Sequence, residues 1–122
     1  MARVVALVPD LMFGSKLVAM LDAAGHDVEL CSQEYEAWSR VDDADVLVVD
    51  LTTDDFDGVS LVDSLRADGK LHRTQTAAFY AHVDTEVRAR AGEVGFDLIV
   101  PRSRMAREGA ELIGALAKDA GA

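Results

Sequence analysis

The sequence has few of the features that mark secreted, membrane-bound or nucleic-acid-binding proteins. It contains one cysteine, Cys31, in 122 residues, so no disulfide can form within the chain. Lysines and arginines number 12 against 22 aspartates and glutamates, for a formal net charge of −10. This balance argues against binding to nucleic acid, because phosphate recognition requires a basic surface. No apolar run approaches the length of a signal peptide or membrane span, so we expect a cytoplasmic protein without membrane contact.

The residues that are present favour one globular domain. Half of them are hydrophobic, which is typical of a folded protein and not of a disordered one. A chain of 122 residues is long enough for a substantial core but leaves little for a second one. We therefore expect residues 1–122 to form a single domain.

Short apolar runs alternate with helical patterns along the whole chain. The predicted strands cover residues 4–8, 27–31, 44–50, 75–81 and 96–100. The predicted helices cover residues 12–24, 34–41, 59–67, 85–94 and 105–118. Because this alternation gives parallel strands with helices on both faces, it predicts an α/β fold, a doubly wound five-stranded parallel sheet in the order 2-1-3-4-5.

The third predicted strand is the most informative segment. A continuous β-branched and aliphatic run, Val46 to Val49, ends at Asp50 and is followed by an acid-rich loop. In the predicted order, strands one and three are neighbours, so Asp10 and Asp50 lie at the carboxyl edge, where such sheets bind ligands. Neighbouring carboxylates repel unless a cation such as Mg²⁺ intervenes. An ionised Asp50 could then act as a nucleophile toward phosphorus.

Two further polar side chains belong to the same edge. Tyr80 supplies a hydroxyl at the end of strand four, and Arg102 supplies a cation just past strand five. Each residue also has a simpler interpretation. Asp50 could cap a loop, Asp10 could cap the helix that follows it, Tyr80 could be a half-buried aromatic, and Arg102 could be a surface cation.

One segment carries a family resemblance. The run Asp45-Val-Leu-Val-Val-Asp-Leu-Thr-Thr-Asp-Asp-Phe-Asp57-Gly58 resembles the receiver domain of bacterial two-component response regulators. The stretch Ala91-Gly-Glu-Val-Gly95 is similar to the turn before the fifth receiver strand, and the resemblance covers essentially the whole chain. It implies a CheY-like, flavodoxin-like fold and a signalling role without enzyme activity.

The resemblance also assigns roles to residues. It implies that Asp50 is the phosphoacceptor, with Tyr80 and Arg102 in the positions of the conserved hydroxyl and cation. It further implies that Asp10, Asp50 and the backbone carbonyl of Thr52 hold a weakly bound Mg²⁺.

The sequence departs from the receiver pattern at four positions. Pro9 replaces one of two adjacent acids after strand one, and Tyr80 replaces a small hydroxyl residue. The usual lysine-proline pair after strand five is replaced by Pro101-Arg102-Ser103, and Asp54 stands where the loop usually has a proline. These departures indicate an atypical receiver or a pseudo-receiver.

The implied partners are a histidine kinase or other phosphodonor protein and a downstream signalling protein. The resemblance implies that the face of helix four, strand five and helix five is the partner or homodimer surface. In this sequence that face concentrates five arginines, which suit an acidic partner: Arg88, Arg90, Arg102, Arg104 and Arg107.

Two alternative functions stay open. One is a phosphorylation-independent pseudo-receiver that binds its partner constitutively. The other is a small flavodoxin-like enzyme or nucleotide binder, which is disfavoured because no glycine-rich phosphate loop follows strand one.

Overall fold

A computed structural model describes residues 2–120, so residues 1, 121 and 122 of the expected domain lie outside the described residues. The elements, in chain order, are β1 (Arg3–Leu7), α1 (Leu11–Ala23), β2 (Asp27–Cys31), α2 (Glu34–Arg40), β3 (Val46–Asp50), α3 (Gly58–Ala67), β4 (Gln75–Tyr80), α4 (Thr85–Val94), β5 (Leu98–Pro101) and α5 (Arg102–Ala120). The five strands form one parallel sheet in the order β2-β1-β3-β4-β5. The predicted fold class and strand order are confirmed.

The largest boundary differences lie at three elements. β3 begins at Val46 instead of residue 44, because a 3₁₀ turn over Val41–Asp43 precedes it. β5 begins at Leu98 instead of residue 96, because Gly95 ends α4 in the left-handed region at φ +92°. α5 begins at Arg102 instead of residue 105, directly after β5. The first turn of α5 therefore lies at the carboxyl edge of the sheet.

Alternation along the strands divides the core into two layers. One set of strand side chains packs against α1 and α5, and this layer contains Val46, Val48, Phe79, Phe13, Leu17, Met105 and Ile113. The opposite set packs against α2, α3 and α4, and this layer contains Val5, Leu47, Val49, Ala37, Leu61 and Ala91. Burial of each large aliphatic side chain contributes about 1.5–3 kcal/mol, so the sheet is held firmly from both sides.

The same arrangement places five connections at one edge. Each strand runs toward the carboxyl edge and is followed there by a loop or by the first turn of a helix. Because β3 is the central strand, its last residue has neighbours on both sides. Within residues 2–120, the helices lack the length and apolar character needed to cross a membrane.

Candidate functional site at the carboxyl edge of the sheet

Asp50 ends the central strand and is almost completely enclosed. It pairs with Phe79 across β3 and β4, and its relative exposure is 2 %. Among the Asp, Glu, Lys, Arg and His side chains of residues 2–119, it is the one that is buried. Carboxylates are rarely buried without hydrogen-bond partners, because desolvation of the charge is costly.

The hydrogen bonds to Asp50 come from a single residue. The backbone N–H and the hydroxyl of Thr52 both donate to Asp50 Oδ1, at 2.7 Å and 2.6 Å. No hydrogen bond to Oδ2 is formed by residues 2–120. Asp50 thus has one oxygen held by the loop and one oxygen without a hydrogen bond from the described residues.

Asp10 has both carboxylate oxygens engaged. Oδ1 accepts hydrogen bonds from the backbone N–H groups of Met12 and Phe13 and thereby caps α1. Oδ2 accepts a hydrogen bond from Arg102 Nη2 at 3.0 Å. Asp10 therefore caps α1, which was one of the two roles that the sequence left open for it. It also forms an ion pair with Arg102, the first residue of α5.

Arg102 makes a second contact in this position. Its guanidinium carbon lies 4.5 Å from the centroid of the Phe13 ring, a cation–π geometry. The pair lies on the same side of the sheet as Asp50, because alternation along β3 groups Asp50 with Val46 and Val48, which face α1 and α5. Arg102 therefore lies at the carboxyl edge, on the same side of the sheet as Asp50.

The electrostatics at Asp10 follow from these contacts. The backbone N–H of Phe13 lowers the pKa of Asp10 most, and Arg102 lowers it further, against an opposing effect of burial. Asp10 is thus held in its charged form by groups of the protein itself.

Tyr80 lies one position past Phe79 and is buried, with 7 % exposure. It pairs with Pro101 of β5. The aromatic ring is therefore part of the covered sheet end, and the hydrogen bonds to Asp50 come from Thr52 and not from Tyr80.

The loop after β3 ends in a second ion pair. Asp57 Oδ1 accepts a hydrogen bond from the Ser60 N–H and caps α3, and Asp57 Oδ2 lies 2.9 Å from Arg90 Nη2 of α4. Burial alone would raise the pKa of Asp57, but Arg90 and the Ser60 N–H outweigh it and lower the pKa.

A surface hollow of about 390 Å³ lies between this loop and α4. Its polar lining includes Thr52, Asp54, Asp57, Asp84 and Arg90. The hollow therefore extends from Thr52, which contacts Asp50, to Asp84 at the start of α4.

The predicted metal ligands, Asp10, Asp50 and the Thr52 carbonyl, lie at or just after the ends of β1 and β3. Both carboxylate oxygens of Asp10 accept hydrogen bonds from the protein. Across residues 2–120, no group of three or more His, Cys, Asp or Glu side chains is placed to hold a metal ion. A cation in this position would have to use Asp50, a backbone carbonyl and an Asp10 released from Arg102.

The arginines of the predicted partner surface are mostly paired. Arg90 and Arg102 turn toward Asp57 and Asp10, on α3 and α1 respectively. Arg104 and Arg107 both contact Glu108. Arg88 is the one of the five that makes no ion pair within residues 2–120. Within residues 2–120, four of these five arginines are thus paired with an acid.

Exposed apolar side chains collect at the same edge as Asp50. Among the described residues, the exposed large hydrophobics are Leu11, Met12, Tyr35 and Val83. The first three lie in the opening turns of α1 and α2, and Val83 lies in the loop before α4. All of these segments follow the carboxyl ends of strands.

Three features of the site were not predicted from the sequence. They are the Thr52 hydroxyl on Asp50, the Arg90–Asp57 pair and the stacking of Arg102 on Phe13. The first had a recognisable signal, because Asp-x-Thr after a strand is typical of a turn in which the aspartate accepts from the residue two positions later. The other two join residues distant in sequence and carry no local signal.

Comparison with known proteins identifies the fold. No protein-family model matches the sequence. No curated protein matches it either. Solved structures do match over nearly the full chain. The receiver domain of the Francisella response regulator 1452 aligns with a TM-score of 0.85 and 21% identity, covering 98% of both chains. The chain has the receiver-domain fold.

Two further receiver structures agree. A CheY-like receiver domain protein from Methanospirillum hungatei aligns with a TM-score of 0.83 and 15% identity, covering 99% of this chain and 97% of that one. The chemotaxis response regulator CheY4 of Vibrio cholerae aligns with a TM-score of 0.82 and 18% identity, covering 95% of this chain and 98% of that one. In this chain, Asp50 lies at the end of the central strand of that fold.

Proposed function

We propose that this chain is a receiver-type signalling module of the cytoplasm, whose state is set by phosphorylation of Asp50. The observation that carries the proposal is the burial of one acidic side chain, Asp50, at the carboxyl end of the central strand. Open α/β sheets bind their ligands at the carboxyl ends of the strands. The proposed role is regulatory and not that of an enzyme acting on other molecules.

The chemistry uses the Asp50 oxygen that accepts no hydrogen bond from the described residues. Oδ2 attacks the phosphorus atom of a phosphodonor and forms a new O–P bond, while the bond from phosphorus to the leaving group breaks and that group takes the electron pair. Thr52 keeps Oδ1 in place during this step through its two hydrogen bonds. The product carries roughly two negative charges at the sheet edge.

Arg102 is the cation proposed to respond to that charge. It is held by Asp10 at 3.0 Å, and both side chains are about half exposed, so the existing ion pair is weak. A phosphoryl group with two negative charges competes with the single charge of Asp10 for the guanidinium. Movement of Arg102 would open the contact between α1 and α5 at this edge.

Magnesium is the proposed cofactor, with weak binding. Asp10, Asp50 and the Thr52 carbonyl provide the oxygen ligands that Mg²⁺ prefers, and the ion would neutralise charge on the phosphoryl oxygens. Weak binding is expected because Arg102 occupies Asp10 Oδ2 and because Pro9 supplies no second acid. The residues fit the ion only if Arg102 leaves.

The proposed partners are a histidine kinase or another phosphodonor protein and a downstream signalling protein. The exposed side chains of Leu11, Met12 and Val83 support an approach of the donor to the carboxyl edge, close to Asp50. The face of α4, β5 and α5 stays a proposed surface for the downstream partner or a second copy of the chain.

A phosphorylation-independent pseudo-receiver is the second candidate. The observation that favours it is that Asp10 and Arg102 already satisfy each other without a ligand. In that case the protein would bind its partner in a single state, with Asp50 as a structural residue.

Intact mass spectrometry distinguishes the two candidates. With acetyl phosphate and Mg²⁺, the protein should gain one phosphoryl mass, and Asp50→Asn should abolish the gain. Asp55→Asn is the matched control, since Asp55 lies exposed in the same loop and should leave labelling unchanged. A protein that stays unlabelled where an ordinary receiver is labelled would support the pseudo-receiver.

A further inference from the structure

Helix α4 has little core packing of its own. Of its ten residues, Ala91 is the buried one, whereas α3, of equal length, buries five. Elements with few buried apolar contacts open at low free-energy cost. The position of α4 therefore depends strongly on contacts with its neighbours.

Two arginine contacts join α4 to α3. Arg90 Nη2 of α4 donates to Asp57 Oδ2 at the start of α3, at 2.9 Å. At the other end, Arg66 Nη2 of α3 donates to the Gly95 carbonyl after α4, at 3.2 Å. The first contact ends on the loop that follows Asp50, and the second does not.

The loop between Asp50 and α3 is held at both ends. At its start, Thr52 is bound to the Asp50 carboxylate through two hydrogen bonds. At its end, Asp57 is bound to Arg90 and to the first turn of α3. A change at one end therefore affects the contact at the other.

The adjoining residue restricts how the loop can move. A Cβ atom on Gly58 would lie 2.6 Å from Val49 Cγ1 and 2.7 Å from Leu51 Cδ2. The backbone at Gly58 thus packs closely against the side chains of Val49 and Leu51, which leaves the loop little room to move toward β3.

We propose that Arg90 is a positioning residue that couples the state of the Asp50 carboxylate to the position of α4. When the Thr52 hydrogen bonds on Asp50 are weakened, the loop shifts, Asp57 shifts with it, and Arg90 transmits the shift to α4. The inference rests on the proposed function in taking Asp50 as the residue whose charge changes.

Hydrogen exchange of the α4 amides tests the coupling without a phosphodonor. Thr52→Val should speed exchange in residues 85–94 of the otherwise native protein. Arg90→Gln should speed the same exchange by up to about fivefold, the range expected for an exposed ion pair. In the Arg90→Gln background, Thr52→Val should have no further effect on α4.

Two variants control for a merely structural role. Arg90→Lys keeps a cation within reach of Asp57 and should restore both the native exchange rate and the response to Thr52→Val. Arg88→Gln removes an exposed cation from the same helix and should leave both unchanged. Exchange in α5 should not change in the single variants Arg90→Gln, Arg90→Lys and Arg88→Gln.

Additive effects of Thr52→Val and Arg90→Gln on α4 exchange would overturn the coupling, as would equal effects of Arg88→Gln and Arg90→Gln. These outcomes are separable from the fate of the proposed function. A labelled Asp50 together with additive exchange would refute the role of Arg90 alone. Absence of labelling together with non-additive exchange would refute phosphorylation and keep the coupling.

Discussion

The hydroxyl of Thr52 should stabilise the fold through its contact with a buried charge. It donates to Asp50 Oδ1 at 2.6 Å, and Asp50 is 2 % exposed. A hydrogen bond to a charged group contributes about 1.5–3 kcal/mol. Thr52→Val removes this bond without shortening the side chain, so we expect the free energy of unfolding to fall by about that amount at pH 7.

Urea denaturation of matched variants measures this contribution. Thr52→Ser keeps the hydroxyl and should retain most of the stability. In an Asp50→Asn background the acceptor is neutral, so Thr52→Val should cost only about 0.5–1.5 kcal/mol. Equal stability of the valine and serine variants, or the same cost in both backgrounds, would refute the assignment of a charge-assisted bond.

Two further predictions concern packing and pH. Gly58→Ala should destabilise the protein by about 1–3 kcal/mol, because the new methyl group would overlap Val49. Gly92→Ala in α4 meets open space and should stabilise the protein by about 0.5–1 kcal/mol. Thermal denaturation measures both changes, and two changes of the same sign would contradict the packing described. The pKa values of Asp10 and Asp57 are lowered in the folded state, so their contribution to stability is present above the ordinary pKa of about 3.9 and is lost as the pH falls through the lower folded values. The free energy of unfolding should therefore decline below about pH 4. Urea titrations at several pH values should show a shallower decline for Arg90→Gln. An unchanged dependence of stability on pH would show that the Arg90–Asp57 pair has no energetic role.

Much of the fold could be predicted because hydrophobic pattern and turn residues are local signals. The continuous apolar run before Asp50 specified a strand buried on both faces, and Gly95 marked the end of a helix correctly. The start of α5 was placed too late, because Arg102 and its neighbours carry no apolar pattern and so the apolar stripe marked only the later turns.

The candidate site was predictable in position but not in its internal contacts. Strand order brings Asp10 and Asp50 to one edge, and the order 2-1-3-4-5 is the common one for an alternating chain of this length. Whether Arg102 pairs with Asp10 or with another acid depends on the packing of α1 against α5, which the sequence does not encode locally. The ion pair of Arg90 with Asp57, the cap of α3, likewise joins residues that are distant in sequence and carries no local signal.

The central claim is that Asp50, and no other carboxylate, accepts a phosphoryl group. An aspartyl phosphate is an acyl phosphate, so borohydride reduces it at the modified residue, and peptide mass spectrometry can locate the reduced position. After treatment with acetyl phosphate, Mg²⁺ and borohydride, we predict that the modification maps to Asp50 in the native protein and disappears in Asp50→Asn. Modification at Asp10, Asp54, Asp55 or Asp57, or an unmodified Asp50 in a protein that remains folded, would contradict the account.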